Sequence, residues 1–379
     1  MSVKYTNFVE VNINHHVANK PTGLRDVAAA IFYDSTIADP NTVTDCGTLT
    51  KTSTLPADLT AFKNYVDAFF ENGGRKLHCI VTNITPATNT FVNIIEALPM
   101  EEIMVGYVGT GAGANESNFR DVAEAYNESK ATEKIYQKIF VAEIPATNGT
   151  TTDLAAYISG DDKVVDIENY VLKYGAMGIG ASVLAYYTQM NAYLTDSAED
   201  YCYTKEKYSD KETDKFVFND NALVKEAMQL DINIDINLSN AVRNIGGNDT
   251  AGYSLTNQFM LLVMHQTLTS RLLDLLAQKI KYNSQGLTAV LNVLTAELNR
   301  YVNNGFLTTT KTWTDGDLYY DEYLIIKEDT LLSLGYKVVI LPFESLTPEE
   351  LEAHQLPKIY ILVADSYSIR KIVVTGEAF

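Results

Sequence analysis

The chain has 379 residues, 46% of them hydrophobic, and a formal net charge of 29 − 48 = −19. That apolar fraction supplies real cores and excludes a disordered chain. The acidic balance excludes a general nucleic-acid binder, which needs a cationic footprint, and argues against an anionic membrane surface as partner.

At about 100–200 residues per domain, the length predicts two or three domains. Cys46, Cys79 and Cys202 are odd in number, far apart and without a CxxC pair, so neither a disulfide framework nor a zinc site is expected. Cys79 falls in an apolar run and reads as a core thiol. The start, "MSVKYTNFVEV", lacks the apolar centre of an export signal, and "GAMGIGASVLAYY" (175–187) is too short and glycine-rich for a membrane span.

In chain order, residues 3–14 come first. Val9, Val11 and Ile13 alternate with Glu10, Asn12 and Asn14, a period-two strand pattern followed by a polar run up to Pro21. This reads as a detached arm. From Pro56 to Glu71, Leu59, Phe62, Val66, Phe69 and Phe70 recur at helical spacing; Pro56 suits a first turn and Asp58 a helix N-terminus. "NGG" (72–74) stops the helix, and "LHCIVT" follows as a strand. Then come a helix at 90–97, a strand at 102–108, a helix at 116–129 and a strand at 136–143. This βαβαβ order, with continuous apolar strands, predicts a parallel sheet covered by helices. Further on, a helix is expected around 176–193, an exposed charged segment at 201–215 and an alternating strand at 231–239. Two long helices, 255–281 and 286–303, precede strand-like pieces at 318–326, 335–342 and 358–375, which predict an antiparallel or mixed sheet and a second domain.

Each candidate for chemistry has a plain reading beside it. "GYVGTGAGANES" (106–117) is like a dinucleotide or S-adenosylmethionine loop, in which glycines let backbone N–H groups approach a phosphate. Ala114 replaces its third glycine, and Glu143 comes about thirty residues on rather than the roughly twenty of a ribose ligand. The plain reading is a βα loop. Asp231, Asn233 and Asp235 fit the first three calcium-loop positions, but Ile236 stands where the sharp-turn glycine belongs and Val242 where the glutamate does. Strand alternation accounts for them better. None of His15, His16, His78, His265 and His354 has ligand spacing, and there is no GxSxG or glycine-lysine phosphate loop. His265 reads as a packed helix residue, Trp313 as a loop cover, and "EDYC", "SDKETD" and "TPEELE" as solvated faces. With no catalytic constellation or cofactor site, the chain reads as a structural or interaction protein.

"FFENGGRKLHCIVT" (69–82) resembles the helix–Asn-Gly-Gly–strand signature of contractile phage tail sheath proteins. "EEIMVGYVG", a helix, then "KIFVAEIPATN" resemble that family's sheet; "LNRYVNNGFL", "GYKVVILPF" and "IYILVADSYSIRKIVVTGEAF" resemble its last helix and strands. The resemblance runs through most of the chain in order, strongest at 69–82 and 286–379 and weakest across 145–230. His78, Cys79 and Thr82 depart from the family's aromatic and second arginine, and the tryptophan-rich segment before the long helices is absent.

The resemblance implies an α/β fold. An outer domain (21–240) carries the partly parallel βαβαβ sheet, and an α+β inner core domain (241–360) carries a mixed or antiparallel sheet. Extended arms lie at 1–20 and 361–379. It implies a non-enzymatic subunit without cofactors that forms a helical homo-oligomer around an inner tube protein, with baseplate and tail terminator partners. It places the protein in a virion tail assembled in the host cytoplasm. Val9, Val11, Ile13, Ile369, Ile372 and Val374 are expected in inter-subunit arm strands, Glu349, Glu350 and Glu352 at the tube contact, and Arg75 at the surface. The alternatives are a Rossmann-like nucleotide- or S-adenosylmethionine-binding enzyme and a non-contractile capsid or surface-layer component.

Overall fold

The computed structural model describes residues 26–39, 41–86, 89–99, 102–110, 116–132, 138–145, 167–175, 177–190, 201–202, 204–206, 221–238, 241–320 and 322–366. Its centre is a six-stranded sheet of β1 (Val27–Asp34), β2 (Val43–Thr50), β3 (Lys76–Thr82), β4 (Met104–Thr110), β5 (Ile139–Pro145) and β6 (Tyr170–Gly175), in the order β2-β3-β1-β4-β5-β6. All pairs are parallel except β2 with β3, which is antiparallel and shifts register between Asp45 and Thr48.

Side chains alternate between two apolar faces, so the sheet needs cover on both. Ala28, Ala30, Phe32, Leu77, Cys79 and Val141 point to a face covered by α1 (Lys63–Glu71) and α4 (Ala181–Gln189). Ala29, Ile31, Tyr107, Phe140 and Leu172 point to the other, under α2 (Asn89–Ala97), α3 (Glu116–Thr132) and α5 (Asn221–Gln229). The predicted βαβαβ run is therefore present as β3–α2–β4–α3–β5, joined by three strands that the sequence pattern did not predict, β1, β2 and β6. Of these, β1, "VAAAIFYD", lies between β3 and β4 at the middle of the sheet.

Beside β6, Lys173 bridges Asn233 in parallel, leading into the hairpin of β7 (Ile234–Leu238) and β8 (Ala241–Ile245). The long helices are α6 (Leu255–Ala277) and α7 (Ser284–Asn303). From Leu255 to Ser270, α6 is buried on every side, as a helix inside a core must be. Its apolar residues continue the α1/α4 side of the sheet through Phe259 and Met264 to Leu294 and Leu298 of α7. Asn283 caps α7, its side chain accepting from the N–H groups of Gln285 and Gly286.

The closing strands form two separate antiparallel pairs rather than one larger sheet: β9 (Leu318–Tyr320) with β10 (Tyr323–Ile326), and β11 (Tyr336–Ile340) with β12 (Ile359–Val363). The stretch 318–326, expected as one strand, is thus a hairpin. The short α8 (Pro348–Glu352) lies between β11 and β12. Trp313 covers the small cluster of Ile326, Leu332 and Ala364, its Nε1–H donating to the Gly316 carbonyl at 2.6 Å. Among the described residues no helix is long and apolar enough to cross a membrane.

Candidate functional site

The "FFENGG" turn performs chain reversal. The Asn72, Gly73 and Gly74 N–H groups donate to the carbonyls of Ala68, Phe70 and Phe69, closing α1. Gly73 has φ +85°, a left-handed value that favours glycine, and a Cβ on Gly74 would overlap the Phe69 ring. The next residue, Arg75, is exposed; its N–H donates to Thr188 Oγ1 at 3.2 Å, tying the turn to α4.

The glycines of the nucleotide-loop reading fall differently from expectation. β4 extends to Thr110, so Gly106 and Gly109 are strand residues paired with Ala30 and Tyr33 of β1. Gly106 leaves room for the Tyr65 hydroxyl, where a Cβ would collide. Residues 111–115 lie outside the described residues. Glu143, weighed as a ribose ligand, is instead taken up by the turn before α4. It accepts from the N–H groups of Gly178 at 3.0 Å and Gly180 at 2.7 Å. Burial pushes its carboxyl up to about 8, against the pull of those two N–H groups and of Lys173.

His78 sits in β3 between two carboxylates. Nδ1 lies 2.9 Å from Glu102 Oε2 and Nε2 lies 3.1 Å from Asp45 Oδ1, in the irregular part of β2. The bond to Glu102 is the largest cause that raises the imidazole above its ordinary value; burial opposes it, and Asp45 adds to it. Asp45 is itself held below the ordinary carboxylate value, chiefly by the Gly47 N–H.

The largest departure from the sequence reading is a buried polar cluster on β6. Lys173 Nζ lies 2.8 Å from Ser182 Oγ, 2.9 Å from Tyr201 Oη, 2.9 Å from Glu206 Oε2 and 3.0 Å from Asp235 Oδ1. Lys173 and Asp235 are fully buried, and Tyr201 and Glu206 nearly so. The segment 201–215 and the "EDYC" stretch were expected to be solvated; Tyr201 and Glu206 are buried because Lys173 demands their oxygens. Asp235 and Asn233 of the calcium-like pattern are likewise consumed internally. Asp235 pairs with Lys173, and Asn233 donates to the carbonyls of Leu172 and Asn248.

The expected assembly residues divide into two groups. Val9, Val11, Ile13, Ile369, Ile372 and Val374 lie outside the described residues. Glu349, Glu350 and Glu352 lie together on α8, Glu349 and Glu352 in its exposed turns and Glu350 partly covered. Glu350 also serves the helix: its carboxylate accepts from the Thr347 N–H at 2.8 Å, and Thr347 Oγ1 accepts from the Glu350 N–H. Tyr319, Tyr320, Leu324, Leu331 and Leu334 are exposed around the two small sheets. The last described residues are well held. Asp365 pairs with Lys311 at 2.6 Å and accepts from Asn257 at 2.9 Å, and the Ser366 N–H donates to the Phe306 carbonyl at 2.7 Å.

No family model matches the sequence, and no curated relative does. Solved structures do. The chain is similar to the helical sheath of the anti-feeding prophage in its contracted state, at TM-score 0.55 and 13% identity, over 98% of this chain and 98% of that one. The fold is that of a contractile sheath protein. A chain of the same prophage's baseplate in its contracted state is similar over 100% of this chain and 98% of that one, with TM-score 0.53 and 12% identity. The sheath tail protein of Desulfitobacterium hafniense matches at TM-score 0.50 and 7% identity, over 79% of this chain and 91% of that one.

Proposed function

We propose that the chain is a structural, non-catalytic subunit of a contractile tail sheath. It polymerises as a helical homo-oligomer around an inner tube, between a baseplate and a tail terminator, and its contraction drives the tube through a bacterial envelope. The observation that carries this reading is a fold likeness to a helical sheath that spans nearly the whole of both chains. In this reading the protein belongs to a phage tail or a phage-tail-like particle assembled in the host cytoplasm. Residues 21–240 form the outer body, 241–366 the inner body against the tube, and 1–20 and 367–379 the linking arms.

The physical logic needs no fuel. The extended polymer is a metastable state set at assembly, and contraction exchanges one set of subunit interfaces for a better one. The body must move as a unit, and the apolar cluster continuous from the central sheet through α6 to α7 supports that. Among the described residues, the β9–β10 and β11–β12 pairs leave strand edges to which a neighbour's arm can add by main-chain hydrogen bonds.

Negative-stain electron microscopy of the concentrated full-length protein tests the proposal. Hollow helical tubes are expected, since free subunits fall into the contracted lattice. Particles that stay dispersed at every concentration would overturn it.

A further inference from the structure

The Lys173 cluster is costly in its present form. One ammonium and two carboxylates have left water, and their mutual attraction repays desolvation only with full hydrogen bonding. The cluster is also arranged for a reaction. Lys173 on β6 bridges Asn233, and Asp235 follows two residues later on the same strand face, so the two side chains meet across neighbouring strands. Nζ lies 3.0 Å from Asp235 Oδ1 and 2.9 Å from Glu206 Oε2. The remaining groups hold these three in place: the Tyr201 hydroxyl donates to Glu206 Oε1, and Ser182, donating to the Ile179 carbonyl, accepts from Nζ. The Tyr201 ring lies 5.4 Å from Nζ.

We propose that Lys173 and Asp235 condense into an intramolecular isopeptide bond, with Glu206 as the proton carrier. In this buried site the ion pair collapses to its neutral form when Nζ gives one proton to the Asp235 carboxylate. The amine lone pair attacks Cγ of Asp235 and the N–C bond forms. Glu206 takes a second proton from the nitrogen and delivers it to the departing hydroxyl, the C–O bond breaks, and water leaves. One ammonium and one carboxylate become one amide and one water, and Glu206 ends as it began, so no oxidant or cofactor is required. Fixed proximity of this kind replaces the activation that amide formation otherwise needs. The product removes two buried charges and ties β6 covalently to β7, enclosing the chain from 173 to 235 in a ring. The proposal does not rest on the sheath reading.

Intact-mass spectrometry of the incubated, folded full-length protein decides it. The expected mass is below the sequence mass by one water, with a branched peptide joining the Lys173 and Asp235 segments after proteolysis. Glu206→Gln, confirmed as folded by circular dichroism, should keep the full mass, and Lys173→Met should abolish the branched peptide. A folded wild-type protein with its full sequence mass would overturn the proposal. So would a water loss mapped elsewhere, such as a succinimide at Asp315–Gly316.

Discussion

His78 shows how one side chain can carry a pH dependence for the whole sheet. Its imidazole is bonded to buried Glu102 and to the more exposed Asp45, and its folded-state value is raised above the ordinary 6.5, first by the Glu102 bond. A group raised on folding contributes stability that is fully present below its unfolded value and is lost as pH rises through its folded value. The urea midpoint of the wild type should therefore fall as pH climbs above 6.5 and passes the folded-state value. His78→Gln should lower the midpoint most at the acid end and flatten this part of the profile. Parallel profiles for the two proteins would mean that the pair contributes nothing as an ion pair.

At the scale of elements, legibility followed the distance over which a signal acts. β3, β4, β5 and the helices between them could be read because each is a local apolar run bounded by its own turn signals, the Asn72–Gly74 stop being the clearest. β1 was not readable: its three alanines favour helix over strand, and only their packing between β3 and β4 makes them central. The Lys173 cluster was missed because its partners come from segments far apart in the chain. A local signal did exist, a single lysine inside the apolar run "YVLKYG", since a lysine is almost never fully buried without partners. α8 was read as an acidic face, but its division of labour was not visible. Because Glu350 caps the helix through Thr347, a charge-reversal test of tube contact must spare it. Glu349→Lys with Glu352→Lys should weaken binding to the tube protein severalfold at low ionic strength and less at high, as screened surface charge requires. Unchanged binding at low salt would remove α8 as the tube contact.

At the scale of the molecule, the proposed assembly separates two jobs that one set of contacts cannot do together. The body must stay rigid while subunits rotate, and the subunits must stay joined while their faces separate. The continuous core provides for the first. For the second, arms that add strands to a neighbour keep the link in main-chain hydrogen bonds, which survive reorientation of the bodies they join. The end of the described chain places the boundary between these jobs. Asp365 is anchored to Lys311 and Asn257, and Ser366 to Phe306, so the body reaches to Ser366. A truncation removing residues 367–379 therefore spares every one of those anchors while deleting Ile369, Ile372 and Val374. It should give a folded, soluble subunit with a melting temperature close to the full chain's, yet no tubes under conditions where the full chain forms them. Sedimentation velocity and electron microscopy on the two proteins side by side would read both properties. If the truncated chain forms normal tubes, the C-terminal segment is not the link, and the exposed Tyr319, Tyr320 and Leu324 surface beside the small sheets would have to join neighbouring subunits instead.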